Sequence, residues 1–528
     1  MAMTDNDIPM PNDESTEHKH SPGASRPSAS AGISRARALT WLLLILVWAG
    51  GWRALFLQGW AASDDAVYVS CAIALSQGEL LTFDGQPLVD NRAARVSYLS
   101  AVAAWMALFG KSDTALCSLD VVCGVASLAA LYWVGSLTGG RRVGLWAAGL
   151  KAVYPPDLVY NGLVFPDHFG LLFVLLAMGA FLTVLLRQSK RVWPWILAGG
   201  FAMAVAVSAR ESAFLLGLAL PVVGLLASGR RGLTLGVAVG AAGLAFFSLD
   251  FIVLHAATGD WLYRVHAAQA SFGQGGLHHQ GFSWGKLLYY PYTLLVRQSA
   301  TGLYGWLLLA GLIWALGRRP RYRLVLIWTA LSWLFMEFGS TSPTSYQPMP
   351  KGIRLMAPMT VLLFIPWAEL AVMVAKALRR ARWAFYAGVI GVLYHGLFTA
   401  NQAAQPLYWA DHSRSVHAAV IAQARDDTPP LMLPQSVYRN LSPADQAAFV
   451  NLDRIDLSGQ SKDLPTPGSM LYATRRHSLV IPIQYFKLMG IQHRHGRVTP
   501  EQYRQYLDTH AQAIPLIDRP RPLDRVLM

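Results

Sequence analysis

Long apolar runs alternate with short polar turns from residue 38 to residue 400. Most of these runs are close to the roughly 20 residues that a helix needs to cross a bilayer. The pattern therefore predicts eleven membrane-spanning helices. They lie near residues 38–57, 114–138, 143–161, 167–186, 193–208, 211–228, 231–255, 294–316, 322–339, 353–376 and 382–400.

The stretch Val96–Phe109 is apolar but is shorter than these runs, so its length favours an interfacial or re-entrant helix. The basic turns decide between the two topologies, because Lys and Arg accumulate on the cytoplasmic side. If Val96–Phe109 does not cross, five turns with basic and no acidic residues fall on one side, together with Arg35 and Arg37. These turns are Gly139–Arg142, Arg187–Val192, Gly229–Arg231, Gly317–Arg323 and Lys376–Arg382. We therefore expect a cytoplasmic N-terminus and a C-terminal part outside.

The two ends of the chain differ from this apolar core. Residues 1–37 are polar and rich in Ser and Pro, which predicts a disordered cytoplasmic tail. Residues 401–528 have the composition of a soluble domain, with short strand-like runs such as Met470–Tyr472. The predicted fold class is an all-α polytopic membrane protein over 38–400, with external amphipathic helices, plus a small C-terminal α/β soluble domain.

Composition supports this interpretation. The chain is 54% hydrophobic and 14% charged, against roughly 25% charged residues in soluble domains. An ordinary soluble enzyme is therefore excluded. A net charge of +14 could suggest nucleic acid, but much of the basic excess lies in the short turns and reports topology. We expect membrane lipids and no nucleic acid as partners.

Ionisable residues inside the spans are costly and tend to be functional. Under the predicted topology most of them lie toward the external ends of their helices. They are Asp120, Asp157, Asp167, Arg210, Glu211, Asp250 and Glu337. The alternative for any single residue is that its charge reaches back to the interface without a further role.

Asp64 and Asp65 follow the first span directly and precede an apolar stretch, Ala66–Leu75. One interpretation is that they cap the start of a helix. The other is that a carboxylate here acts as a general base or binds a metal ion. Both can hold, because a cap also fixes a carboxylate in place.

Several short motifs, taken in order, resemble the GT-C glycosyltransferases, in particular the branch of protein O-mannosyltransferases and lipid A aminoarabinose transferases. Asp64-Asp65-Ala66-Val67-Tyr68 is similar to the Asp-Glu-Ala-x-Tyr of that family. The other matching motifs are Phe109-Gly110-Lys111-Ser112-Asp113, Arg141-Arg142, Tyr154-Pro155 and Phe165-Pro166-Asp167. Two positions depart from the family: Asp90–Arg95 lacks its Pro-Pro-Leu, and Cys117 stands where an Arg is common.

The resemblance implies a membrane glycosyltransferase of the inner membrane. Such an enzyme moves a sugar from a polyprenyl-phosphate carrier to a lipid, glycan or protein acceptor on the external, periplasmic face. Asp64 matches the catalytic acidic position and becomes the expected general base, with Asp65 beside it. Asp167 matches a second acidic position that faces the same cavity. No cofactor is assigned, and a divalent metal stays open.

A departing phosphate requires cations. Lys351 and Arg354 lie in the loop before the tenth span, where the family places basic residues. Interfacial anchoring is the alternative for both. Further candidates for the substrate and phosphate site are Asp90, Arg92, Arg95, Arg210 and Glu211.

Two other functions compete with glycosyl transfer. A transporter or flippase of a lipid-linked sugar would also need many spans, but such proteins often have repeated halves and midplane charges. No convincing repeat is present here, and the charges gather toward one surface. A non-catalytic assembly subunit that docks through residues 401–528 is the second alternative.

Overall fold

The structure is a computed structural model. It describes residues 33–57, 64–79, 82–83, 86–87, 90–187, 191–273, 288–340 and 351–404, and the strand segments 431–432, 469–473, 478–482 and 512–513. The predicted N-terminal tail and most of the predicted C-terminal domain lie outside these residues, so both domain assignments stay predictions.

The first part of the chain forms three helices and a short hairpin. Helix α1 (Arg35–Leu55) begins at Ser34, whose hydroxyl accepts a hydrogen bond from the Arg37 N–H at 3.3 Å. The helices α2 (Asp64–Ser76) and α3 (Val96–Phe109) pack against each other, and the two-residue strands Thr82–Phe83 (β1) and Gln86–Pro87 (β2) pair between them in sequence. Helix α3 is about 21 Å long, which is short of a bilayer core of about 30 Å.

One predicted span, 143–161, is broken in the structure. Helix α4 (Asp113–Gly139) is followed by α5 (Arg141–Lys151) and by the short α6 (Pro155–Tyr160). Pro155 and Pro156 open α6, and a proline has no N–H to continue the ladder of the preceding helix. The prediction of one continuous helix was therefore wrong here.

Three long helices and a short one follow. They are α7 (Pro166–Arg187), α8 (Val192–Ala209), α9 (Leu215–Thr258) and α10 (Tyr263–Gly273). Helix α9 departs from helical geometry at Ser228 and Gly229, where Gly229 has a φ of +57°. Beyond this point the chain returns alongside itself: a Cβ added at Gly224 would lie 2.0 Å from the Gly232 carbonyl oxygen. The two halves of α9 thus correspond to the separate spans predicted at 211–228 and 231–255.

The remaining helices complete the bundle. They are α11 (Tyr289–Leu295), α12 (Gln298–Thr301), α13 (Tyr304–Gly317), α14 (Arg319–Phe338), α15 (Met356–Thr360), α16 (Phe364–Ala377) and α17 (Arg382–Ala404). The predicted span 294–316 is interrupted near Gly302, which has a φ of +57°. Three-residue 3-10 helices lie at Ile353–Leu355, Val361–Leu363 and Arg379–Ala381, so the predicted span 353–376 is also irregular.

Seven helices of the described residues are long and apolar enough to cross a membrane, judged by length and composition. Several leave large apolar side chains exposed, as expected for surfaces that face lipid; Leu43 and Val47 of α1 and Ile390 of α17 are examples. The buried core contains Tyr154, Phe181 and many small residues. A multi-pass helical membrane protein is confirmed.

Two contacts define the ends of the bundle. Arg141 Nη1 donates to the Ile33 carbonyl at 3.2 Å, so α1 and α5 begin at the same end. Arg53 Nη1 donates to the Ala152 carbonyl at 2.9 Å, which joins the opposite ends of these helices. Asp64 follows α1 at this second end. We call the two ends the Arg141 end and the Asp64 end.

The described strands of the C-terminal part form one sheet. Its strands are Leu431–Met432 (β3), Ser469–Ala473 (β4), Ser478–Pro482 (β5) and Gln512–Ala513 (β6), and they lie in that order. β3 pairs in parallel with β4, and the other two pairs are antiparallel.

Candidate active site

Asp64 lies in the first turn of α2 and forms two ion pairs. Its Oδ1 is 3.0 Å from Arg92 Nη1, and its Oδ2 is 2.9 Å from Arg354 Nη2. Burial alone would raise the pKa of Asp64, but the two guanidinium groups outweigh burial and hold this pKa below its usual value. The side chain is 31% exposed, so it is accessible as well as charged.

Arg92 is fixed by a second carboxylate. Asp90 accepts two hydrogen bonds from the Arg92 guanidinium, at 2.9 Å from Nε and 2.6 Å from Nη2, and a third from the Arg92 backbone N–H. These hydrogen bonds within the loop direct the Arg92 guanidinium toward α2. Burial would lower the pKa of Arg92, but Asp90 and Asp64 raise it, so the group stays charged.

Arg354 reaches the site from the other half of the sequence. It lies in the 3-10 helix Ile353–Leu355, and its guanidinium carbon is 4.5 Å from the centre of the Phe165 ring. A planar cation over an aromatic face is held in orientation as well as position. The structure thus joins residues that are 290 positions apart.

Asp65 differs from its neighbour, because it is fully buried. Tyr68, one helical turn after Asp64, is also buried, and its hydroxyl accepts a hydrogen bond from Arg95 Nη1. Arg95 also contacts Glu211, with distances of 3.4 and 3.3 Å to the two carboxylate oxygens. Asp64 is therefore the member of the acidic pair that is open to a substrate.

Asp167 and Arg210 form a further ion pair, with 2.9 Å between Oδ1 and Nη2. Burial would lower the pKa of Arg95, but Glu211, Tyr68 and Asp167 raise it, so Asp167 faces the same group of charges. The predicted residues Asp90, Arg92, Arg95, Asp64, Asp167, Arg210, Glu211 and Arg354 therefore gather at the Asp64 end.

Lys351 has a different environment. Its ammonium group donates to the backbone carbonyls of Met336 and Glu337, at the end of α14, with 2.8 Å to the Glu337 oxygen. A cation at a helix C-terminus satisfies free carbonyls and complements the helix dipole. Burial lowers the pKa of Lys351, and Glu337 opposes this only in part. These contacts show that Lys351 satisfies carbonyls at the end of α14, while both its phosphate role and its interfacial anchoring stay predictions.

Arg264 is a site residue that sequence analysis missed. It lies on α10, and its Nη1 is 2.7 Å from Asp250 Oδ2, while Nη2 donates to the Ser208 carbonyl at 2.6 Å. Its guanidinium is also 3.9 Å from a Glu211 oxygen. Arg264 thus connects α10 to Glu211, the carboxylate that contacts Arg95.

A buried group of charges lies at the break between α5 and α6, and it contains Asp157, which the sequence marked as an ionisable residue inside a span. Lys151 and Asp157 form a fully buried ion pair across the break between α5 and α6. Arg53 and His168 are buried beside this pair, with 3.9 Å between His168 Nε2 and Asp157 Oδ1. The sequence marked Asp157 by its charge, and the prolines at the break were the signal for the helix end that brings Lys151 to it.

The described residues offer little as a metal site. Within them, no three His, Cys, Asp or Glu side chains are close enough to hold a metal ion.

A small cavity of about 20 Å³ opens beside Arg210, between α9, α14 and α15, and its other lining residues include Leu215, Trp328 and Met359.

Comparison with known proteins bears on the fold. A family model for dolichyl-phosphate-mannose-protein mannosyltransferases matches residues 97–253. No curated protein matches the chain. The structure is similar to ArnT from Cupriavidus metallidurans in the apo state, with a TM-score of 0.54 and 14% identity over 86% of this chain and 95% of that chain.

The same ArnT bound to undecaprenyl phosphate matches with a TM-score of 0.53 and 15% identity, over 83% of this chain and 94% of that one. The oligosaccharyltransferase of Archaeoglobus fulgidus, in complex with zinc and sulfate, matches with a TM-score of 0.50 and 13% identity, over 77% of this chain. This chain covers 61% of that protein's length. The resemblance predicted from the motifs is confirmed at the level of the fold: the chain has the fold of the GT-C membrane glycosyltransferases.

Proposed function

We propose that this protein is a membrane glycosyltransferase that moves a sugar from a polyprenyl-phosphate carrier to a hydroxyl group of an acceptor. The observation that carries the proposal is the accessible Asp64 carboxylate between the guanidinium groups of Arg92 and Arg354. A base beside two cations fits transfer from a phosphate, because one group takes a proton while the others stabilise negative charge. ArnT, which shares the fold, binds undecaprenyl phosphate.

The reaction balances with these groups alone. Asp64 accepts the proton of the acceptor hydroxyl, and the oxygen attacks the anomeric carbon of the sugar. The bond between that carbon and the phosphate oxygen breaks, and the lipid phosphate leaves with the bonding electrons. Arg354 and Arg92 stabilise the charge that develops on the leaving phosphate.

The ion pairs of Asp64 suggest how donor binding prepares the base. A lipid phosphate that binds Arg354 or Arg92 competes with Asp64 for the same N–H groups. As these groups turn to the phosphate, Asp64 loses the contacts that hold its pKa low. The carboxylate then becomes a better proton acceptor when the donor is in place.

Asp64→Asn tests the base assignment, since the amide keeps the shape but cannot accept the proton. With a panel of polyprenyl-phosphate sugars, release of the free lipid phosphate should fall by about 10²–10⁴-fold. Asp260→Asn is a matched control, because the Asp260 carboxylate is 34% exposed, close to the 31% of Asp64, and its partner is His266. A rate for Asp64→Asn within tenfold of wild type would refute the assignment.

The proposed orientation has the N-terminus in the cytoplasm and the Asp64 end and C-terminal domain on the periplasmic side of the inner membrane. The exposed basic residues at the turns Gly139–Arg142 and Gly317–Arg323 support this, because they lie at the Arg141 end. Cysteines introduced near Arg141 and Arg319 should be inaccessible from outside, whereas one near Gly85 should be labelled. Labelling from outside of a cysteine near Arg141 would contradict the proposed orientation.

A flippase of a lipid-linked sugar is the second candidate. The broken helix at α5 and α6 with its buried Lys151–Asp157 pair is a feature that transporters also show. The two functions differ in product: a flippase moves its lipid intact, whereas the transferase releases free lipid phosphate. The donor panel therefore separates them.

A further inference from the structure

Arg264 of α10 joins several segments of the chain through one buried guanidinium group. The guanidinium carbon lies 5.2 Å from the centre of the Phe247 ring of α9. Nη1 is 2.7 Å from Asp250 Oδ2, also on α9. Nη2 donates to the Ser208 carbonyl of α8 at 2.6 Å and lies 3.9 Å from Glu211 Oε1. A single side chain of α10 therefore contacts α8, α9 and the segment that connects them.

The contacts of Arg264 hold the bend between α8 and α9. In this bend the chain is extended at Arg210, directly after α8, and continues in the 3-10 helix Glu211–Phe214. Ser208 lies in the last turn of α8, where carbonyl groups lack the N–H donor of a following turn. Arg264 supplies that donor. The Ser208 hydroxyl also donates to Asp250 Oδ1 at 2.8 Å, so both partners of Arg264 are bonded to each other.

The bend carries two residues of the candidate active site, and they have different partners. Arg210 Nη2 is 2.9 Å from Asp167 Oδ1. Glu211 contacts Arg95 with both carboxylate oxygens, and Arg95 donates to the hydroxyl of Tyr68. Tyr68 lies on α2, the helix that carries the proposed base. The placement of these charges therefore depends on the geometry of the bend.

Charge balance alone does not account for these contacts. Asp250 is buried and needs a cation, because a buried carboxylate without a partner is costly. A lysine of suitable reach would meet that need. The guanidinium instead uses Nη1 for Asp250 and Nη2 for the Ser208 carbonyl, which a single ammonium group cannot reproduce.

We propose that Arg264 is a positioning residue for the glycosyl transfer. It fixes the bend after α8 and so sets the places of Arg210 and Glu211, without contacting the substrate itself. This inference rests on the proposed function. A displacement of about 1 Å in an active site can cost roughly a hundredfold in rate, so a residue that acts only through its neighbours can have a large effect.

Arg264→Lys separates positioning from charge balance, because Lys can pair with Asp250 but cannot also hold Ser208 and Glu211. The assay is steady-state release of lipid phosphate from the donor panel by the purified full-length protein. We expect kcat/KM to fall by roughly 10- to 100-fold, while the midpoint of thermal unfolding stays close to that of wild type.

Arg321→Lys is the matched control. Arg321 makes the same kinds of contact, since it pairs with the carboxylate of Glu369 and donates to the Thr138 carbonyl at the end of α4. It does so at the Arg141 end, away from the candidate active site. This variant should keep wild-type kinetics.

Hydrogen–deuterium exchange tests the placement without turnover. In Arg264→Lys the amides of residues 208–214 should exchange faster than in wild type, because the bend has lost contacts that hold it. In Arg321→Lys they should exchange as in wild type. If wild type releases no lipid phosphate from any donor, the proposed function fails, and exchange alone decides whether Arg264 holds the bend.

Three results would overturn the inference. These are wild-type kcat/KM in Arg264→Lys, an equal loss in Arg321→Lys, and a loss in Arg264→Lys with unchanged exchange at 208–214, which would indicate direct contact with the substrate. If Arg264→Lys does not fold, the double variant Arg264→Gln, Asp250→Asn takes its place, because it removes both buried charges. It should lose roughly as much activity. Wild-type kcat/KM in the double variant would mean that Arg264 only balances Asp250.

Discussion

Replacing Arg354 by Lys keeps a positive charge near Asp64 but removes the planar guanidinium. In the structure this group does two things at once, because Nη2 lies 2.9 Å from Asp64 Oδ2 while the plane rests over Phe165. An ammonium group is a point charge, and it can neither stack in this way nor offer two N–H groups in a fixed fork. If Arg354 binds the donor phosphate, Lys is a poor substitute.

The size of the effect follows from the contact that is lost. A hydrogen bond to a charged group contributes about 1.5–3 kcal/mol, so losing one from the transition state should lower kcat/KM by roughly 10- to 150-fold. Arg354→Ala should be worse, because it also leaves Asp64 with a single cationic partner. Interfacial anchoring predicts instead that Lys serves as well as Arg, since any cation of suitable reach satisfies it.

The assay is steady-state release of lipid phosphate from a polyprenyl-phosphate sugar, with wild type, Arg354→Lys and Arg354→Ala in the same detergent. Arg230→Lys is the matched control, because Arg230 is exposed in the turn of α9 and should keep wild-type kinetics. Wild-type kinetics in Arg354→Lys would refute the phosphate role of Arg354. The phosphate site would then move to Arg210 or to the Arg92–Arg95 segment.

Three further predictions concern stability and pH. Asp157→Leu leaves the buried Lys151 without its partner and should lower the free energy of unfolding by about 3–5 kcal/mol, whereas adding Lys151→Met should restore most of it in thermal unfolding. Gly224→Ala forces a Cβ against the backbone of the facing half of α9 and should destabilise by about 1–3 kcal/mol, while Gly217→Ala, where the added Cβ meets nothing within 4 Å, should not. Because the pKa of Asp64 is held below its usual value of about 3.9, its ion pairs stabilise the fold above that pH and are lost as the pH falls through the lowered pKa. Removing one arginine partner should therefore move the acid limb of kcat/KM to higher pH.

The sequence was most informative where chemistry lies in a short local pattern. The sequence marked Asp64 as an acidic residue directly after a span. It marked Arg354 as a basic residue in a loop that has few other basic residues. Their ion pair could not be predicted, because it joins positions that are 290 residues apart. Lys351 and Arg354 look alike in the sequence, yet Lys351 contacts the carbonyls at the end of α14 and Arg354 contacts Asp64.

The fold shows the same limit. The hydropathy pattern correctly marked 143–161 as apolar, but it gave no weight to Pro155 and Pro156, which prevent one continuous helix. The ion pair between Lys151 and Asp157, which forms across this break, was therefore not predicted. Glu369 was missed for a different reason. Its charge inside the predicted span 353–376 was a local signal, but its partners Arg321 and Tyr322 come from another helix and could not be predicted.

The reversal within α9 has a consequence for how the protein enters the membrane. A continuous helix of 44 residues would be about 66 Å long, twice the thickness of a hydrocarbon core. The reversal at Ser228 and Gly229 is a tight turn, and beyond it the two halves pack so closely that a Cβ added at Gly224 would lie 2.0 Å from the Gly232 carbonyl oxygen. We therefore expect both halves to insert together during synthesis as one helical hairpin. Arg230 and Arg231 would hold its tip on the side from which it entered, so a leucine pair there should yield a mixture of insertion states.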